Sequence, residues 1–299
     1  MTVARAVVPG ATYLITRRCV LRRFYLRPSR DTNRVLRYCL ARAARRTGVV
    51  VHAVCWMSNH VHLVVTDVDG RLPEFCEWLF RTVAQCIKGV HGIRENVWSD
   101  GSYSAVRLET EEAIVDKLAY VIANPVTAGL VREARQWPGV ISRPSDLYGA
   151  EHGDERPAGW FHESQDESAQ IALCAPPCFE GRVDELVSAV RDMVAEREKL
   201  AAEELRRCGR RVLGVERVLE VDPFDAPSTA EVERVRNPVF AAVTAAARKA
   251  AVRALRDWRR AYADAWARWR AGDHATVFPY GTWWMRVFAS ATVVAGPPT

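Results

Sequence analysis

The sequence predicts an α+β protein: a ferredoxin-like two-layer sandwich, an antiparallel sheet carrying helices, followed by a helical accessory region. Three observations carry that prediction. In the first half of the chain, strand-like and helix-like periodicities alternate in the order β-α-β-β-α-β-α. Two apolar segments in the middle are separated by only Ser58-Asn59, the punctuation of a hairpin. Beyond residue 149 the texture changes, first to a polar, acidic stretch and then to long charged helices.

The elements follow in order. Pro9-Gly10 ends an irregular lead, and ATYLITRR (11–18), rich in β-branched and aromatic residues, reads as a strand. Ser29 and Asp31 offer N-caps for a helix over 32–47, where Val35, Leu36, Cys39, Leu40 and Ala43 recur at helical spacing and Gly48 stops it. VVVHAVCWM (49–57) and HVHLVVTD (60–67) are the hairpin strands. A second amphipathic helix spans 73–90, with Phe75, Leu79, Val83, Cys86, Ile87 and Val90 inward. SYSAVRL (102–108) is a further strand, and Thr110 opens a helix expected to end near Asn124, before Pro125. Residues 1–149 suffice for one domain, 150–180 read as a linker or exposed loop, and 181–299 as the helical accessory region. Within that region, 182–207 and 231–271 are helical, and Trp258, Tyr262, Trp266 and Trp269 form a stripe suited to core packing or to a nucleic-acid platform.

The chain has 299 residues and is 49% hydrophobic, enough for one sizeable core or two modest ones. No apolar run approaches the roughly 20 residues that span a bilayer, and the first residues lack a signal-peptide pattern, so a cytoplasmic protein is expected. Cys19, Cys39, Cys55, Cys76 and Cys86 lie on apolar strand or helix faces, which suits buried thiols better than disulfides. The CAPPC pair, Cys174 and Cys178, lacks nearby companions for a four-ligand zinc site.

Charge is distributed unevenly. The net charge is +6, yet residues 1–50 carry Arg17, Arg18, Arg22, Arg23, Arg27, Arg30, Arg34, Arg37, Arg42, Arg45 and Arg46 against the single acid Asp31. Arginine alone, with no lysine, favours bidentate contacts to phosphates and bases; a chain rich in arginine and alanine throughout is the competing explanation.

Chemistry concentrates at NHVH (59–62). On a strand, residues i and i+2 share a face, so His60 and His62 project in parallel, about 6–7 Å apart. They are either two ligands for one divalent ion or two polar residues that happen to share a face. In KLAYVIANPV (117–126), Tyr120 and Asn124 stand i, i+4 on a helix and also share a face. A nucleophile beside an amide ligand fits that spacing, as does a core tyrosine with an asparagine before proline.

Together, WMSNHVHLVV (56–65) and, roughly sixty residues later, YVIANPVTAGLV (120–131) resemble the REP-associated tyrosine transposases, members of the single-tyrosine HUH transposases. ATYLITRRCVLRRFYL (11–26) and RQWPGVISRPSDLYG (135–149) are similar to that family's opening and closing segments, so the resemblance covers roughly residues 8–148. Ser58 departs from it, standing where members often carry proline. The resemblance implies a transposase that nicks and rejoins single-stranded DNA. His60, His62 and Asn124 would hold Mg²⁺ or Mn²⁺, and Tyr120 would form a covalent 5′-phosphotyrosine. It further implies a palindromic DNA hairpin as partner, with Arg17, Arg18, Arg22, Arg23 and Arg27 on the stem, and a monomer or homodimer as the working unit. Two rival classes remain: a hairpin DNA- or RNA-binding regulator without cleavage, and a metal hydrolase using water as nucleophile. No G-x-x-x-x-G-K-[ST] motif is present, as expected where the bond energy is stored covalently.

Overall fold

ATYLITRR becomes the middle of a sheet in the computed structural model, which describes residues 5–101, 103–229 and 238–296. β1 (Ala11–Arg18) is followed by α1 (Arg30–Thr47), then by β2 (Val50–Met57) and β3 (His60–Asp67), joined by the two-residue turn at Ser58-Asn59. α2 (Leu72–His91), β4 (Ser104–Leu108) and α3 (Glu111–Thr127) complete the series. β1 pairs antiparallel with β3 and β4, and β2 pairs antiparallel with β3. The resulting order, β2-β3-β1-β4, interleaves two β-α-β units, which is the ferredoxin-like arrangement the element order predicts.

The caps do what their residue types predict. Ser29 Oγ accepts from the Thr32 amide at 3.1 Å, Thr110 Oγ1 accepts from the Ala113 amide at 3.2 Å, and Gly48 closes α1 at φ 71°. Pro125 does not end α3 at Asn124; the helix runs on to Thr127. Proline there removes one hydrogen bond and costs about 3 kcal/mol in a helix interior. Buried Leu118, Val121, Ile122 and Val126 each contribute about 2 kcal/mol and together outweigh it.

Side-chain alternation gives the sheet two apolar faces. Ile15, Val54, Trp56, Val61, Leu63 and Val65 turn toward α1 and α2, while Leu14, Ala53, Cys55, Met57, Val64 and Val106 turn the other way. The second face is covered by α3, which in turn packs against α4 (Val183–Arg207) through Leu186, Val187, Val190 and Val194. The sandwich therefore gains a third layer, and that layer brings Tyr120 over the sheet.

Residues 150–180, expected as a linker or exposed loop, contain most of a β-hairpin. β5 (Tyr148–Glu155) and β6 (Ser168–Cys174) pair antiparallel, and Ala169 and Leu173 are buried against the main body. The strands approach so closely at Gly153 that a Cβ there would lie 2.0 Å from the Ala169 carbonyl oxygen. Charge fixes the hairpin to α1: Arg37 binds Asp154 at 2.7 Å, Arg34 reaches Glu155 at 3.4 Å, and Arg42 pairs with Asp166. A polar segment forms strands here because its partner surface, the arginine side of α1, is remote in sequence.

The C-terminal part contains α5 (Val215–Glu220), the two-residue β7 (Phe240–Ala241) parallel to the β4 edge, α6 (Ala245–Arg270) and α7 (Trp283–Phe288). Residues 231–237 of the expected 231–271 helical stretch lie outside the described residues. The aromatic stripe of α6 packs internally: Trp258 stacks on Tyr262 at 5.3 Å, and Tyr262 and Trp269 both pack on buried Phe278. Cys19, Cys39, Cys55, Cys76 and Cys86 are buried free thiols. Among the described residues no helix is long and apolar enough to cross a membrane.

One buried histidine holds these parts together. His52 lies where the β2–β3 register shifts, and it is 1% exposed. Nδ1 donates to the Cys174 carbonyl of β6 at 2.7 Å, because that oxygen can only accept. Nε2 therefore accepts from the Thr66 hydroxyl at 2.7 Å, and Thr66 meets Thr12 at 2.8 Å. Burial, only partly opposed by the Cys174 bond, pushes the His52 pKa down from 6.5 to about 4. The stability tied to this depressed pKa is complete above pH 6.5 and is lost progressively as pH falls toward 4, where the unfolded chain alone binds the proton. Denaturant unfolding at pH 7 and pH 4.5 should show a loss from this residue on the order of 3 kcal/mol at most across that window. His52→Gln should flatten the pH dependence; an unchanged slope in that variant would refute the assignment.

Candidate active site

β3 parity decides which side chains meet α3. His60, His62, Val64 and Thr66 lie on one face, and Val61, Leu63 and Val65 on the other, within the α1/α2 core. The register then fixes the neighbours across the sheet. Thr16 of β1 and Cys55 of β2 flank His62, while Arg18 and Met57 flank His60. Over this row stands Tyr120 of α3, whose hydroxyl lies 3.3 Å from His62 Nε2. The three rings form a connected cluster: His60 to His62 is 4.8 Å between centroids, and His62 to Tyr120 is 5.0 Å, both edge-on. Asn124 stands one helical turn beyond Tyr120 and is 7% exposed. Thus residues 58 apart in sequence are brought into contact, and the i, i+2 spacing sets both imidazoles on the face toward α3.

Each imidazole has its Nδ1 engaged. His62 Nδ1 meets Thr16 Oγ1 at 2.8 Å, and His60 Nδ1 meets Asn59 Oδ1 at 2.6 Å. The Asn59 amide is oriented by its own donation from Nδ2 to the Arg22 carbonyl at 3.2 Å. Its Oδ1 must then accept, so His60 carries hydrogen on Nδ1 and presents the Nε2 lone pair. Thr16 Oγ1, a hydroxyl that serves as donor or acceptor, fixes the orientation of the His62 ring rather than its tautomer. This is the arrangement by which outer partners orient histidine ligands. Thr16 and Asn59 are positioning residues that sequence reading passes over. Asn59 is visible only as a turn residue, and Thr16 acquires its role solely through pairing with His62.

Lys117 adds positive charge near the nucleophile candidate. Its Nζ lies 5.7 Å from the Tyr120 ring centroid and 2.8 Å from Asp116 Oδ2. Asp116 is also bound by Arg197 of α4, which ties this stretch of α3 to the outer helix. Among the described residues no group of three His, Cys, Asp or Glu converges, so any divalent ion here would need an amide, water or phosphate beside the two histidines.

The expected arginine surface divides. Arg18 shares the site face beside His60. Arg17 points to the opposite face and donates to the carbonyls of Gly101 at 2.7 Å and Ser99 at 3.3 Å. Arg22, Arg23 and Arg27 donate to the carbonyls of Thr229, Phe224 and Val221, so a C-terminal segment lies across them. Between them, exposed Leu21 and its neighbour Arg22 adopt left-handed backbone at φ 49° and 58°, a conformation costing roughly 1–2 kcal/mol per residue. The bond from Asn59 to the Arg22 carbonyl links this strained loop directly to His60.

No family model matches the chain, and no curated protein matches it. Among solved structures, the chain is similar to a REP-associated tyrosine transposase bound to a REP hairpin, at TM-score 0.41 and 16% identity, over 56% of this chain and 91% of that one.

The tautomer assignment is directly measurable. Imidazole ¹⁵N correlation spectra at neutral pH should show His60 with protonated Nδ1. Asn59→Ala should return His60 toward the mixed tautomers of an ordinary imidazole while leaving His62 unchanged. A His60 spectrum indifferent to Asn59 would overturn the positioning role.

Proposed function

We propose that this protein nicks and rejoins single-stranded, hairpin-forming DNA through a covalent 5′-phosphotyrosine on Tyr120. The observation that most supports this reading is the convergence of His60, His62 and Tyr120, with both imidazoles oriented from behind. A divalent ion, Mg²⁺ or Mn²⁺, would be held by His60, His62 and Asn124. The donor set fits a hard or borderline cation that retains open positions: two imidazole nitrogens, one amide oxygen and no thiolate. When bound, such an ion supplies charge neutralisation at a phosphate that is otherwise extremely inert.

The chain's own residues do the rest. Tyr120 Oη bonds to phosphorus as the bond to the 3′ oxygen breaks, leaving a free 3′-OH and the 5′ phosphate on tyrosine. His62 Nε2 cannot ligate an ion and take the phenolic proton together, so with the ion in place that proton leaves to water. Reversal by a 3′-OH rejoins a strand without ATP, because the phosphotyrosine bond stores the energy. In the stem-binding role proposed for Arg17, Arg18, Arg22, Arg23 and Arg27, phosphates replace the carbonyl partners of Arg17, Arg22, Arg23 and Arg27, adding an ion pair and bidentate geometry.

Incubation with Mn²⁺ and an end-labelled DNA hairpin bearing single-stranded flanks should give an SDS-stable protein–DNA adduct. Tyr120→Phe should lower cleavage by about 10⁴-fold or more, as nucleophile removal does elsewhere. Cleavage by that variant at the wild-type rate would eliminate Tyr120 as nucleophile and favour water. Hairpin binding without any adduct would favour the regulator. Hairpin affinity should also fall steeply with salt, as phosphate contacts release counterions; a flat dependence would remove the arginine clamp.

A further inference from the structure

A second feature lies away from the histidine–tyrosine face. α6 stands off from the body of the protein, leaving an open groove of about 1690 Å³ between it, α7, the start of α2 and the β1/β4 face of the sheet. That exceeds the roughly 300–1,000 Å³ of a small-molecule pocket, so its dimensions suit an extended polymer. Its walls combine charge and rings. Into a mostly apolar lining are set Arg5, Lys249, Arg253 and Arg259 with one carboxylate, Asp257, while Arg107 on the same wall is paired with Glu109.

Lys249 and Arg253 are i, i+4 on α6, both are exposed, and neither has an acidic partner among the described residues. The aromatic component comes from both sides: Tyr103 beside β4, Trp258 on α6, and Trp283 and Trp284 on α7. Trp258 is fixed by donating Nε1 to the Tyr280 carbonyl at 2.7 Å, whereas Trp284 is 55% exposed. An amphipathic helix docked on its own core would cover its rings and pair its charges. This one turns part of both into a groove.

We propose that this groove is a second binding site, for single-stranded nucleic acid, in which Lys249 and Arg253 contact phosphates and the Trp284 indole stacks on a base. Alternating cations and exposed rings is the chemistry by which single strands are held without sequence preference. The site shares no residue with His60, His62 or Tyr120 and does not depend on the nicking reaction.

The test uses the full chain and fluorescently labelled 20-mers of dT and of rU, chosen because neither folds into a hairpin. Anisotropy titrations over a range of salt give affinity and salt slope. The double variant Lys249→Glu, Arg253→Glu should weaken binding at least about tenfold. The neutral pair Lys249→Gln, Arg253→Gln should reduce the salt slope by about 0.7 for each phosphate no longer neutralised. Trp284→Ala should weaken binding by about five- to hundredfold. Preference for dT or rU identifies DNA or RNA as the source of the strand. Tyr120→Phe should bind the 20-mers like wild type, so loss of the nicking reading would leave this result untouched. Absence of 20-mer binding, or wild-type affinity in the neutral pair together with Trp284→Ala, overturns the proposal. Thermal melts of each variant separate impaired binding from impaired folding.

Discussion

The pairing of β1 with β3 is the constraint on which the rest of the molecule depends. It runs unbroken from Ala11 opposite Asp67 to Arg18 opposite His60. A shift of one residue would exchange the two faces, sending His60 and His62 into the α1/α2 core and Val61 and Leu63 toward α3. Cross-strand bonds reinforce the correct register on the α3 face, through Thr12 with Thr66 and Thr16 with His62, each at 2.8 Å. The second of these also orients an imidazole. The same contact that specifies the sheet therefore prepares the site.

The third layer converts a sheet face into a reaction face. α3 must lie close enough for Tyr120 to touch His62, and it is held there by apolar burial beneath and by α4 above. Arg197 to Asp116 and Arg182 to Glu111, the latter at 2.7 Å, tie the two helices together. The Glu111 pair is exposed, so it adds little stability and mainly sets alignment. Near the open end of the histidine row, the strained Leu21–Arg22 loop, Asn59 and the 221–229 segment form one connected set of hydrogen bonds. The 221–229 segment is thereby linked to the residue that orients His60.

Much of the core domain was legible locally. Period-2 and period-3.6 patterns gave its strands and helices, Ser29, Gly48 and Thr110 gave the boundaries, and Ser58-Asn59 gave the hairpin. The i, i+2 histidines and the i, i+4 pair Tyr120/Asn124 were visible as face-sharing pairs. The partners of the charged residues were not legible in this way. The arginines of residues 1–50 formed one basic stretch on paper, but Arg34, Arg37 and Arg42 are used to hold the acidic 154–166 segment, and Arg22, Arg23 and Arg27 hold backbone carbonyls. The expected linker and the arginine side of α1 are two halves of one interface.

By itself the sequence determined the elements, the strand parity and the candidate chemistry, because dihedral preference, capping and side-chain alternation act within a few residues. Tertiary structure decided which arginines face the histidines, that Thr16 and Asn59 stand behind the imidazoles, that residues 148–174 form a hairpin, and that α3 runs through Pro125. Each of those outcomes rests on a partner roughly forty to two hundred residues away, or on burial that outweighs a local preference. Local pattern carries no record of such partners until the chain closes on itself.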